Sequence, residues 1–258
     1  MSQFYFAASA RSAVGLVRNG NEDSALISSH TIAVADGMGG HVGGEVASSI
    51  AIKALGDIAP TFSDPSIDGD SADDLFLNAA YSVDAALKSA TDEEPSLLGM
   101  GTTLTSLFIR QEQIALLHIG DSRAYRLRGS ALELLSVDHT VLQELLSQGA
   151  ISPAEAQEHP QRSMLTQALM GENKIETSLQ IFDVKAKDRY LLCSDGLTGV
   201  LSDREIKSLI KGRDRVEAIN ALIDATYING APDNVTVVIA DISDSATTDL
   251  EHIGAAKQ

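Results

Sequence analysis

The sequence predicts an α+β fold, with antiparallel strands and paired helices segregated along the chain. Three observations predict it. Short apolar runs that read as buried strands fall in groups. Short polar corners join neighbouring runs as hairpins, and a chain of hairpins makes an antiparallel sheet. Helical periodicity appears outside those groups, in consecutive pairs, which argues against alternating βαβ units.

Taken in order, residues 4–10 form an apolar run about one strand long. Residues 32–35, 104–109, 114–119, 124–127, 190–193 and 235–239 are β-branched or leucine-rich and bounded by Gly, Asp or Pro, the signature of buried strands. Residues 111–113, 120–122 and 128–130 read as the hairpin corners. Apolar residues recur at three- and four-residue spacing over 45–58, 73–90, 140–147, 203–210 and 215–227, which predicts helices. Residues 136–139 offer capping groups for the third of these, and Ser202 or Asp203 for the fourth. Residues 64–74 and 91–101 read as loops, the cluster of acids at 68–74 as solvated, and 243–258 as a polar tail that frays. The expected organisation is a single domain over residues 1–242, followed by that tail.

Composition excludes several function classes. The chain has 258 residues, enough for a real core, and 44% of them are hydrophobic, so it is not a disordered acidic chain. Its 36 Asp and Glu against 19 Lys and Arg give a net charge of −17, which argues against a nucleic-acid partner and against an anionic membrane surface. A lone cysteine, Cys193, excludes an internal disulfide and a cysteine-based zinc cluster, and its apolar run makes it a core residue. No basic segment precedes residues 4–10, and no apolar stretch approaches the ~18 residues of a membrane span. A soluble, cytoplasmic protein without a membrane anchor is therefore expected.

The residues that carry chemistry sit where apolar runs begin or end. Asp36, Asp121 and Asp195 follow strands, and Asp233 precedes one. For any one of them turn statistics explain the position. Together, in antiparallel neighbours, they would converge at one rim. Carboxylates at that spacing repel one another, so a cation is the natural partner, and all-oxygen ligation favours Mg²⁺ or Mn²⁺ over zinc.

Six motifs occur in order: Arg18-Asn19-Gly20-Asn21-Glu22-Asp23, Asp36-Gly37-Met38-Gly39-Gly40-His41, Gly99-Met100-Gly101-Thr102-Thr103, Gly120-Asp121-Ser122-Arg123, Ser194-Asp195-Gly196-Leu197 and Asp233-Asn234. This ordered set resembles the bacterial metal-dependent serine/threonine phosphatases of the PPM type, the protein phosphatase 2C family, over about residues 11–242. The resemblance implies two antiparallel sheets packed as a central sandwich flanked by helix pairs. It also implies two or three Mn²⁺ or Mg²⁺ ions, and attack on phosphoserine or phosphothreonine by a hydroxide that bridges two of them. Asp36 would bridge the ions, with the Gly37 carbonyl on one, and Asp195 and Asp233 would complete the second. Asp121 would serve a third site, Glu22 and Asp23 would hold metal-bound waters, and Arg18 would grip the phosphate. Residues 136–171 resemble the family's flap, beneath or within which the region from Met164 to Met170 packs. The implied partners are phosphorylated proteins, including a cognate Ser/Thr kinase and its targets, met by a monomer.

One departure is chemical. Eukaryotic relatives carry a histidine as proposed general acid where this chain has Met38, which cannot donate a proton. His41 lies three residues on and reads as a packed or capping residue, so no general acid is assigned. His118, in a strand, likewise reads as packed. Competing motifs fail on spacing. Residues 36–44 miss G-x-G-x-x-G because Val42 holds the third position, and Ser122 and Ser194 each miss G-x-S-x-G by one glycine. A serine hydrolase using Ser122 is the other enzyme reading. A phosphoprotein-binding pseudoenzyme would have lost a metal ligand, and all are present.

Overall fold

Alternation along the central strands divides their side chains between different cores, and that division dictates the layers. The computed structural model describes residues 3–39, 43–64, 66–156, 159, 161 and 164–257. In β3 (Thr31–Met38), Ile32 and Val34 enter a core shared by two sheets, while Ala33 and Ala35 pack with α1 (Gly43–Phe62) and α2 (Gly69–Glu93). In β10 (Arg189–Cys193), Tyr190 and Leu192 enter the shared core, while Leu191 and Cys193 pack with α6 (Asp203–Ile210) and α7 (Arg215–Ile228). A strand buried on both faces needs apolar residues at successive positions, which is why these runs are continuous rather than alternating. The product is four layers, helix pair, sheet, sheet, helix pair, as the family resemblance implies.

Every strand pair is antiparallel. One sheet runs β1 (Tyr5–Ala13), β11 (Val235–Ser243), β10, β7 (Arg123–Arg128), β8 (Ala131–Leu134). The other runs β12 (Glu251–Gly254), β2 (Asp23–Ile27), β3, β5 (Leu104–Arg110), β6 (Gln113–Ile119), β9 (Gln180–Asp183), with β4 (Gly101–Thr102) beside β3. Between β8 and β9 lie the short helices α3 (Val141–Ser147) and α4 (Pro153–Ala156), and α5 (Asp195–Thr198) follows β10.

Five expectations are corrected. Residues 120–122 do not form a hairpin, because β6 and β7 belong to different sheets and the corner carries the chain across the sandwich. A Gly-Asp-Ser turn specifies a reversal but not which edge the next strand joins. Residues 64–74 are not all loop: Asp68 caps α2 by accepting from the Ser71 N–H at 2.9 Å, so the helix starts at Gly69. The tail does not fray. β12 pairs with β2, Thr248 bonds the Ala8 N–H and the Phe6 carbonyl at 3.0 Å, and Ala255 and Ala256 are buried. Pairing covers the free edge of β2, which outweighs the segment's polarity. The cap of α3 is Thr140 rather than any of residues 136–139, of which Ser136 bonds the Ala124 N–H and Asp138 bonds Arg123. Met164 and Met170 are exposed, and Leu169 between them is the buried residue. Ser202 caps α6 in a reciprocal capping box with Glu205, and Cys193 is fully buried.

The core beneath α1 and α2 centres on Phe62, Phe76 and Phe108, whose ring centroids lie 5.3 Å apart in each pair. Offset and edge-on contacts of this kind add to the burial of each ring. Truncating Phe108→Ala is expected to cost about 3–5 kcal/mol. Urea unfolding checks this, and a loss below about 1 kcal/mol would show that the ring cluster is not a main support of this layer.

Candidate metal centre

The two sheets bring their ends to a common rim, and the acids converge there from both. β3 and β6 each pair antiparallel with β5, so their C-terminal ends lie at the same edge of one sheet. The C-terminal end of β10 meets the start of β11 at the neighbouring edge of the other. Asp36 lies near the end of β3, Asp121 just beyond β6, Asp195 at the first position of α5, and Asp233 just before β11. One edge of one sheet was expected; the site instead straddles the junction of two sheets.

Asp23 joins the group across the β2–β3 ladder, directly opposite Asp36. Side chains opposite each other in a ladder share a face, and like charges there repel. Asp23 is fully buried; its Oδ2 accepts from the Ser194 hydroxyl at 2.7 Å, while its Oδ1 has no partner. Burial pushes the Asp23 carboxyl up to about 7 against that hydrogen bond, with the charges of Asp195 and Asp233 adding to the rise. Loss of solvent raises Asp36 well above the usual carboxylate range, and Asp23, Asp195, Asp121 and Asp233 each push it further. Asp121 rises to about 7, through burial and then the charges of Asp195 and Asp138. Asp195 is raised by burial and by Asp233.

Arg18 reaches this group directly. Its guanidinium bonds Asp233 Oδ2 at 2.7 Å, and about half of the side chain is exposed. Glu22 is half-buried beside it, and its carbonyl accepts from the Gly37 N–H at 3.1 Å. The backbone around Gly37 is so close to Gly44 and Glu22 that a Cβ there would overlap their carbonyl oxygens. Gly196 is held equally tightly against the Asn234 carbonyl. These two positions exclude any side chain, which lets the acid-bearing turns approach one another.

A framework of uncharged groups fixes the acids, and composition alone did not single it out. The Asp36 carbonyl accepts from the Thr102 hydroxyl and the Thr103 N–H, both at 2.9 Å. The Thr103 hydroxyl accepts from the Asp36 N–H at 2.9 Å and meets the Ser122 hydroxyl at 2.9 Å, beside Asp121. The Asn234 amide accepts from the Glu22 N–H at 2.7 Å and donates to the Val14 and Gly20 carbonyls at 2.8 Å, binding the Arg18 loop to β11. Thr102, Thr103 and Asn234 stand inside the ordered motifs, and that placement was the available signal. Asp84, on α2, had none: it is buried and accepts from the N–H groups of Met170, Gly171 and Asn173 at 3.1, 2.7 and 2.8 Å, pinning the end of the 136–171 segment. Ser122 is fully buried in this framework, which removes it as an exposed nucleophile. His118 is also structural, bonded to Thr105 at 2.9 Å and to the Val137 carbonyl at 3.0 Å. His41 and Val42 lie outside the described residues.

The donor set suits a hard divalent cation. It is all oxygen, carries an orphaned buried carboxylate oxygen, and concentrates charge that one guanidinium does not balance. Among the described residues no group of three His, Cys, Asp or Glu side chains is arranged to hold an ion alone. An ion here would draw on carboxylate pairs, the Gly37 carbonyl and water, in keeping with the waters that Mg²⁺ retains.

Comparison with known proteins agrees with this geometry. The family model for protein phosphatase 2C matches residues 21–227. The chain belongs to the protein phosphatase 2C family. It is 43% identical over 238 residues to the serine/threonine protein phosphatase PstP of Mycobacterium tuberculosis, a match covering 91% of this chain and 45% of PstP. The chain thus spans about half the length of that curated relative. It is 32% identical to the serine/threonine phosphatase stp of Listeria monocytogenes, covering 88% of this chain and 92% of stp. The crystal structure of M. tuberculosis PstP superposes with a TM-score of 0.86 at 42% identity, over 92% of this chain and 98% of that one. The PstP catalytic domain in complex with two manganese ions superposes with a TM-score of 0.83 at 39% identity, over 93% and 99%. In this phosphatase-family fold the two-sheet sandwich and the acid-lined rim occur together.

Because these carboxylates hold protons more tightly folded than unfolded, their repulsion opposes folding as they ionise. The unfolded chain then releases protons from about pH 4, while Asp23 and Asp121 retain theirs to about 7, so this contribution to stability falls across that window. In EDTA, Asp36→Asn is expected to raise Tm, and by more at pH 7 than at pH 4.5. With Mn²⁺ the order should reverse. Thermal melts at the two pH values check this, and equal Tm changes at both would remove carboxylate repulsion as the cause.

Proposed function

We propose that the protein is a metal-dependent serine/threonine phosphatase, a phosphoric monoester hydrolase acting on phosphoserine and phosphothreonine in proteins. The observation that carries the reading is the convergence of five aspartates with one half-exposed arginine at the rim of a protein phosphatase 2C fold. The manganese-bound PstP catalytic domain supports Mn²⁺, or the chemically similar Mg²⁺, as the cofactor. Asp36, the Gly37 carbonyl, Asp195 and Asp233 would hold two ions, with Asp121 at a third, and Glu22 and Asp23 would order the coordinated waters. When bound, such ions supply Lewis acidity toward phosphoryl oxygens and lower the pKa of coordinated water to near neutrality.

The chain's own residues do the rest. The Thr102–Thr103–Ser122 framework holds Asp36 and Asp121 in place before substrate arrives, so little reorganisation is needed. Arg18 offers a planar, bidentate grip that orients the phosphate. Its present partner, Asp233, is a proposed ligand, and a carboxylate committed to a cation holds the guanidinium less strongly. Met38 is half-buried and donates no proton, so no general acid is assigned to the leaving oxygen. Residues 1–242 form the catalytic unit, with 136–171 as a flap beside the rim and 243–258 adding β12. Substrates include a Ser/Thr kinase and its targets, met by a cytoplasmic monomer with no nucleic-acid partner. Among the described residues no helix is long and apolar enough to cross a membrane.

Asp36→Asn should lower Mn²⁺-supported phosphate release from a phosphothreonine peptide by at least about 100-fold while leaving the circular dichroism spectrum native. Near-normal turnover would sink the assignment. Arg18→Ala should raise KM for that peptide about tenfold with a smaller effect on kcat, and an unchanged KM would take Arg18 out of the phosphate site.

A further inference from the structure

The proposed phosphate site occupies one end of a longer cleft of about 730 Å³. That volume is in the range of sites for whole small ligands and far exceeds a phosphoryl group. Asp121, Asp195 and Asp233 line one end of it. The end formed by α3 is apolar, lined by Leu142 and Leu146, and Val200 and Pro232 also line the cleft. Leu142, Leu146 and Pro232 are half-buried or exposed, and Val200 is half-buried against the core beneath α6 and α7, so all four leave apolar surface for a ligand. The ion pair between Arg123 and Asp138, at 2.6 Å, also lines the cleft and balances its own charge.

We infer that this apolar end is a subsite for an apolar side chain adjacent to the phosphorylated residue of a protein substrate. The inference rests on the phosphatase reading, because it places the phosphate at the acidic end. The occupant follows from continuity: Asp121, Asp195 and Asp233, which press on Asp36, also line this cleft, so a substrate whose phosphate meets those acids has the cleft beside its flanking chain. A leucine or valine there exchanges water for Leu142, Leu146 and Val200. An aspartate meets the same apolar wall and is rejected by desolvation. The α3 wall is held in place by hydrogen bonds at its N-terminal end. Thr140 bridges to Leu165, and the His139 N–H donates to the Gly120 carbonyl at 2.8 Å, so the wall is built before substrate binds.

The test uses phosphothreonine peptides that differ only in the two residues flanking phosphothreonine, Leu against Asp, with para-nitrophenyl phosphate as a substrate lacking flanks. The full chain in Mn²⁺ should show kcat/KM at least about tenfold higher for the Leu peptide, the discrimination an apolar pocket supplies. In Leu146→Asp and in Val200→Asp that ratio should fall to about one. The ratio is internal to each protein, so partial loss of folded enzyme does not move it. Equal kcat/KM for the two peptides in the wild-type chain, or an undiminished ratio in both variants, would overturn the subsite while leaving the phosphatase reading intact. No turnover of either peptide or of para-nitrophenyl phosphate would overturn that reading, and the subsite with it.

Discussion

Mutual repulsion among buried and half-buried carboxylates is the constraint around which the rest of the molecule is arranged. Asp36 sits opposite Asp23 in one ladder and within reach of Asp121, Asp195 and Asp233. Such a cluster is stable only if the surrounding structure holds it and something positive offsets it. Apart from the Arg18–Asp233 pair, the protein holds it with hydrogen bonds from neutral groups, which leave the charge in place. Ser194, Thr102, Thr103 and Asn234 fix positions without neutralising charge. The orphaned Asp23 oxygen marks where that support stops.

The four-layer architecture makes the arrangement affordable. Three separate apolar cores, one between the sheets and one beneath each helix pair, carry the stability, so the rim is free to be electrostatically strained. The strain is local to the ends of strands whose middles are buried on both faces. A site at the junction of two sheets also receives side chains from strands far apart in sequence, and the two tight glycines, Gly37 and Gly196, let their turns approach.

The described ends of the 136–171 segment are both anchored. Arg123 pairs with Asp138 at its start, and Asp84 on the outer helix binds three N–H groups at its end. Leu169 and Thr102 exchange backbone hydrogen bonds of 2.9 Å in both directions. Thr102 in turn holds the Asp36 carbonyl, so a continuous set of hydrogen bonds runs from α2 through the end of this segment to Asp36. The wall of the cleft and the acids thereby share one scaffold.

Much of this was legible in the amino-acid order. Continuous apolar runs specified the central strands because both of their faces are buried, and three- and four-residue periodicity specified the helices because only one of theirs is. Ordered motifs named the family and the acids. The remaining strands were hidden for physical reasons: β2 opens with Asp and Ser that its neighbours bury, and β12 is polar because it closes an edge. Composition could not place Asp84, since an acid in an amphipathic helix normally faces water. Sequence alone thus determined which chemistry the chain carries, because the residue types and their order define the donor set. Only the tertiary structure decided that the acids meet at the junction of two sheets, that residues 120–122 cross between them, and that α3 forms one wall of the cleft. Each depends on pairing between segments distant along the chain, which no local pattern encodes.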